Sequence, residues 1–211
     1  MPKDRFQRLA EEKRLRILDA AIWEFAEHGY HGTSMRQIAE RAGIAKGLTY
    51  YYFDSKEDLF SFLVEYVGGT WMREFERFLD GQPPAEPREF FRQFVRCLME
   101  FIDSRPHMYQ LYLKHVHDRD LSFMPLIVAQ ARKADARFMG CLRAAQAAGR
   151  VRAEVPLEKA HFVLDTVALR LLEFFFSPHM DALGLHDASR EERMQVVEEL
   201  FDLVWTGIGK N

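Results

Sequence analysis

Cysteine is nearly missing from this chain. Cys97 and Cys141 are the two among 211 residues, too few for a disulfide framework or a thiolate metal site. That suits a reducing compartment, and we expect the cytoplasm. Proline and glycine are sparse as well, at 8 and 12, so few positions interrupt a helix. No apolar run reaches the ~18 residues of a membrane span, and the charged first residues lack the apolar core of a signal peptide. Neither charge sign dominates, with 29 Lys and Arg against 32 Asp and Glu. There is no Gly-rich phosphate loop, nucleophile elbow or pair of carboxylates at catalytic spacing. His115, His117 and Asp118 are close in sequence, but i, i+2 spacing on a helix sends side chains to different faces. We therefore expect no enzyme, no metal and no cofactor.

What is present is apolar mass at helical spacing. The chain is 48% hydrophobic and contains 18 Phe. Ile17, Leu18, Ala21, Ile22 and Phe25 form the buried stripe of a first helix, from about residue 6 to His28, and Gly29 stops it. Further helices are expected at about 55–80, 88–103, 106–117, 121–149, 156–178 and 189–208, with residues 81–87 as the strongest breaker. The class is all-α, with about nine helices.

Residues 33–56 are the most informative stretch. Ser34 with Gln37 three residues on makes a capping box, so a helix should start there. Met35, Ile38, Ala39 and Ala42 give it one apolar stripe, and Gly43 ends it in a left-handed turn. Ile44 then plugs the angle, and a short helix runs from about Ala45 to Phe53 before the Asp54-Ser55 start signal. Thr49 and Phe53 share its inward side, Gly47, Leu48 and Tyr51 point out, and Lys46 and Tyr50 flank them. Two helices joined by a Gly turn make a helix-turn-helix, whose second helix enters the major groove. Residues 1–66 carry ten bases and eleven acids, so DNA affinity must come from local placement instead of a general basic field. Lys3, Arg5, Arg8, Lys13, Arg14 and Arg16 suggest an N-terminal arm.

The run from Ala42 to Leu59, with Ala42-Gly43-Ile44-Ala45-Lys46-Gly47-Leu48-Thr49-Tyr50-Tyr51-Tyr52-Phe53 at its heart, resembles the signature of the TetR family of one-component regulators. The resemblance covers about residues 14–65; beyond them only the helical layout is similar. It implies a helix-turn-helix head over residues 1–56 and a larger ligand-binding and dimerisation domain over 57–211. On the head, it implies that Thr33, Ser34 and Arg36 contact phosphates or a flanking base. Ala45, Lys46, Gly47, Leu48 and Tyr51 would lie in the major groove, with Tyr50, Tyr52 and Lys56 on the backbone at either side. Thr49 departs from the family's apolar habit, which points to looser packing beneath the recognition helix. Tyr52 stands where the family often has His.

The same layout implies a small apolar or amphipathic effector. Its candidate lining is Trp71, Phe75, Phe94, Leu98, Phe101, Tyr109, Tyr112 and Phe138, with His115, Thr166 and Arg170 as further polar anchors. Glu173, three residues after Arg170, is its simplest partner. The last two helices are apolar around most of their circumference, so each should bury one side in its own chain and one in a partner. Leu164, Leu171, Phe175, Val197, Leu200, Phe201 and Val204 are the expected interface of a homodimeric four-helix bundle. Two heads would read a palindromic double-stranded operator. Gly68-Gly69 is either a soft point in the fourth helix or its end, with Thr70 capping the next. The expected function is a ligand-released repressor; the alternative is a helical ligand-binding or scaffold protein without operator specificity.

Overall fold

The apolar stripes close into ten helices among the residues described by the computed structural model, which are 2–78, 86–116, 124–176 and 181–209. They are α1 (Asp4–Gln7), α2 (Glu11–Gly32), α3 (Met35–Arg41), α4 (Leu48–Tyr52), α5 (Lys56–Phe78), α6 (Pro87–Ser104), α7 (Pro106–Val116), α8 (Met124–Ala147), α9 (Leu157–Phe176) and α10 (Arg190–Ile208). The fold is all-α, as the periodicity requires. Most of the 81–87 breaker, together with His117 and Asp118, lies outside the described residues.

Two compact units form, one from the residues up to Met72 with Phe101–Arg132, the other from Arg73–Glu100 with the residues from Lys133 on. In the first, Ile17, Leu18, Ala21, Ile22 and Phe25 of α2 are buried with Ile38, Phe53, Leu59, Phe60, Leu63, Met108 and Leu111. Gly29, at φ 69°, interrupts α2, and one further turn follows to Gly32. Only glycine takes that conformation without strain. Helix carbonyls near such a break lack intrahelical partners. Here two lysines serve them. Lys114 of α7 donates to the Ala26 carbonyl at 3.0 Å and to that of Glu27 at 2.5 Å. Lys56 of α5 donates to Tyr30 O at 2.7 Å and Thr33 O at 2.9 Å, with its ammonium 4.4 Å from the Tyr30 ring centre. Cations at a helix C-terminus also complement its dipole.

α5 continues through Gly68 and Gly69 without a break. The Thr70 hydroxyl donates back to Tyr66 O at 2.8 Å, so Thr70 caps no new helix. Buried Val67 and Thr70 hold the helix on either side of the two glycines.

The second unit is built on aromatic contacts. Phe75 meets Phe90 and Phe94 edge-on at 5.8 and 5.5 Å, Phe90 stacks on Phe138 at 5.1 Å, and Phe91 packs on Phe201 at 5.2 Å. Leu164, Ala168, Leu171 and Phe175 of α9, with Val197, Phe201 and Ile208 of α10, are buried. Cys97 and Cys141 are buried thiols, whose burial pushes their pKa values up to about 12 and about 11. Such thiols are poor nucleophiles.

Candidate nucleic-acid interface

The interface begins at Ser34, whose side chain accepts from the Gln37 N–H at 3.3 Å while its own N–H donates to Gln37 Oε1 at 2.8 Å. This reciprocal cap fixes where α3 starts. Ser34→Ala is expected to lower the unfolding free energy by about 1 kcal/mol in urea titration. Met35, Ile38 and Ala39 are buried beneath α3. Gly43, at φ 63°, turns the chain, and the Ile44 N–H donates to Ala39 O at 3.0 Å. Ile44 is half-buried against the core, where it wedges the two helices apart.

Ala45, Lys46 and Gly47 form a turn, not the first helical residues, and α4 starts at Leu48. Two features account for the late start. Glycine is a poor helix former, and the Thr49 hydroxyl takes the Lys46 carbonyl at 3.2 Å. Thr49 is 1% exposed, so its packing is not loose. With Phe53 it anchors the inward side of α4. Ala45, Lys46, Gly47, Tyr50 and Tyr51 project outward, while Leu48 is half-buried against the core.

Three expected contact residues are committed elsewhere. Thr33 is buried, and its hydroxyl donates to Glu24 O at 2.9 Å and Gly29 O at 2.8 Å. Tyr52 is 4% exposed, with its ring against Phe6 at 5.8 Å and Tyr51 at 5.5 Å. Lys56 holds the end of α2, as described. These side chains support the surface instead of forming it. Ser34 and Arg36 remain exposed.

Other residues join the site. The Lys3 N–H donates to Tyr52 O at 3.0 Å, its ammonium donates to Tyr50 O at 3.1 Å, and that ammonium pairs with Asp54 at 2.7 Å. The Arg5 guanidinium lies 4.4 Å over the Tyr51 ring. Phe6, between them and the core, touches Phe53 at 4.9 Å and Phe62 at 6.0 Å. The first residues are thus folded against α4, and only their charge was visible in the sequence. Beneath α3, the carboxylate of the buried Glu24 accepts from Arg41 Nε at 2.6 Å, and the guanidinium covers the Trp23 ring at 3.1 Å. Arg41 is an anchor of α3 on α2.

The effector candidates divide between the units. In the first, Trp71 meets Phe101 edge-on at 5.5 Å, and Tyr109 stacks with Tyr112 at 6.4 Å. In the second, Phe75, Phe94 and Phe138 belong to the aromatic cluster, and Leu98 is half-buried on α6. His115 lies on α7, with its side chain outside the described residues. Thr166 and Arg170 are not buried anchors. Both are exposed on α9, where the Thr166 hydroxyl donates to Phe162 O at 2.7 Å and Arg170 pairs with Glu173.

Most of the expected interface residues of α9 and α10 are taken up by the chain's own core. Leu164, Leu171, Phe175, Val197 and Phe201 are at most 2% exposed within the single chain, and Leu200 and Val204 are half-buried. Among the described side chains of α9 and α10, the large apolar ones left outward are Phe162 at 69%, Val163 at 41%, Leu169 at 40% and Leu203 at 73%. Phe162, Thr166, Leu169, Arg170 and Glu173 follow at i, i+4, i+7, i+8 and i+11, one continuous stripe along α9.

The family described as bacterial regulatory proteins, tetR family, matches residues 17–62. The HTH-type transcriptional regulator RutR of Escherichia coli strain K12 is 26% identical over 178 residues, 83% of this chain and 80% of its own length. A TetR family transcriptional regulator from Chloroflexus aurantiacus has a similar crystal structure, with a TM-score of 0.74 at 26% identity over 100% of both chains. The Bacillus subtilis regulator FadR, crystallised with stearoyl-CoA, shares the fold at a TM-score of 0.74 and 18% identity, over 92% of this chain and 98% of that one.

Proposed function

This chain belongs to the TetR family of bacterial transcriptional regulators, and on that premise we propose that it represses transcription as a cytoplasmic homodimer bound to a palindromic operator. It works by binding, not by catalysis. One observation carries the reading: Ala45, Lys46, Gly47, Tyr50 and Tyr51 project outward from a short helix whose other side is pinned by Thr49 and Phe53. A helix so held can press its N-terminal end into the major groove while its tyrosines meet the sugar-phosphate edges. Ser34 and Arg36 flank it from α3, and Arg5 and Lys3 flank it from the first residues. The test is selection of bound duplexes from a randomised pool, followed by footprinting. We expect a two-fold symmetric sequence. Lys46→Ala should weaken its binding by about 1–3 kcal/mol, as loss of a base-edge contact would. Recovery of no preferred sequence would overturn the reading.

Dimerisation falls to the outward side chains Phe162, Val163 and Leu169 of α9 and Leu203 of α10. The effector is an apolar or amphipathic small molecule. The stearoyl-CoA bound by a protein of the same fold supports that class. Free fatty acids and their CoA thioesters are therefore the first probes. A true effector raises the melting temperature of the protein by mass action while lowering its affinity for the operator.

A further inference from the structure

We propose that Glu40 sets the selectivity of the head as an internal counter-ion, which holds Arg36 and Lys46 until a matching duplex displaces it. The proposal rests on the DNA-reading role given above. Its basis is a three-membered cluster on the outward face. Glu40 Oε1 accepts from Arg36 Nε at 2.9 Å and lies 3.6 Å from Lys46 Nζ. Arg36 and Glu40 are one turn apart on α3, whereas Lys46 comes from beyond the Gly43 turn. One carboxylate therefore ties the first helix to the entrance of the second.

All three side chains are more than half exposed. Ion pairs this wet add little to stability. Their consequence lies in the field presented to a ligand. The hydrogen bond from Arg36, helped by the charge of Lys46, holds the Glu40 carboxyl below the usual carboxylate range, so the anion present at neutral pH persists into acid solution. Two cations and one anion leave this patch with a single net charge where α3 and α4 meet.

A phosphate approaching the patch is repelled by the carboxylate and must compete with it for both cations. Cations already neutralised from within also release fewer counter-ions on binding. Random DNA, which offers phosphates alone, gains little. A cognate sequence can offer more: guanine acceptors for Lys46 or Arg36, and a cytosine amino group for the carboxylate itself. Glu40 thus acts against wrong partners as much as for the right one, which is how a difference in affinity is built.

Glu40→Gln keeps the shape and removes the charge. Fluorescence anisotropy with the selected duplex and with a random-sequence duplex of equal length reads the effect across a salt series. The variant is expected to bind the random duplex several-fold more tightly and the selected duplex with a smaller gain. Its salt slope on random DNA should steepen by about one phosphate equivalent, an extra loss of about 3.5-fold between about 50 and about 200 mM salt. Glu65→Gln, an equal charge change on an exposed position nine residues beyond Lys56 on α5, is the control and should move neither ratio nor slope. The same gain on both duplexes, or equal behaviour of the two variants, would overturn the role of Glu40. Native protein that prefers neither duplex would overturn the DNA-reading role, and this inference with it.

Discussion

Phe162→Arg combined with Leu203→Arg is expected to leave the chain folded, make it monomeric and abolish operator binding at concentrations that saturate the native protein. Both side chains are about seven-tenths exposed in the single chain, so neither substitution touches its core. On a two-fold interface each introduced charge occurs twice, and the face meets its own copy. Like charges brought together in a drying interface cost several kcal/mol. A single head has half the contacts, so operator affinity should collapse with the dimer. Light scattering alongside circular dichroism checks this. A persistent dimer with native helicity would place the interface elsewhere. Phe201→Arg is expected to behave differently, because Phe201 is 1% exposed and packs on Phe91. A charge there should unfold the second unit.

Phe6→Ala should cost about 3–5 kcal/mol of stability, the range for emptying a buried aromatic site. Phe6 is 1% exposed and contacts Tyr52, Phe53 and Phe62. It thus connects the first residues, the recognition helix and α5 in one cluster. Urea unfolding followed by tyrosine and tryptophan signals measures the loss. Operator affinity should fall as well, under conditions where the variant is still folded, because the inward side of α4 loses a wall. An unchanged midpoint would mean that α1 does not pack against α4 in solution.

The parts of this molecule that could be read in the sequence are those whose chemistry is local. Ser34 and Gln37 satisfy each other across one helical turn, and Gly43 takes a backbone conformation that other residues avoid. Neither depends on anything distant. The side to which α9 and α10 turn was not legible for the opposite reason. A helix that is apolar around most of its circumference carries no stripe to show which side goes inward. Leu164 and Phe162 look alike in such a sequence, yet one is buried and the other is exposed. Resemblance placed Thr33, Tyr52 and Lys56 near DNA by position, but position does not fix where a side chain points. The Thr33 hydroxyl and the Lys56 ammonium bond backbone carbonyls of α2 and its C-cap, and the Tyr52 ring packs on Phe6, which no short motif records. Phe6 was missed because a lone apolar residue between Arg5 and Gln7 has no periodic companion. Glu24 was missed because its partner, Arg41, is seventeen positions away.

The interruption of α2 at Gly29 bears on how the head opens and closes. Helix ends ordinarily fray first, and their amides exchange with solvent long before the protein unfolds. Here the carbonyls of Ala26, Glu27, Tyr30 and Thr33 are bonded by ammonium groups carried on α5 and α7. Fraying at this end must break contacts with two other helices at once. The last turns of α2 should therefore exchange as slowly as the middle of the helix, in step with α5 and α7. In cooperative terms, this end of α2 opens with the first unit as a whole, not ahead of it.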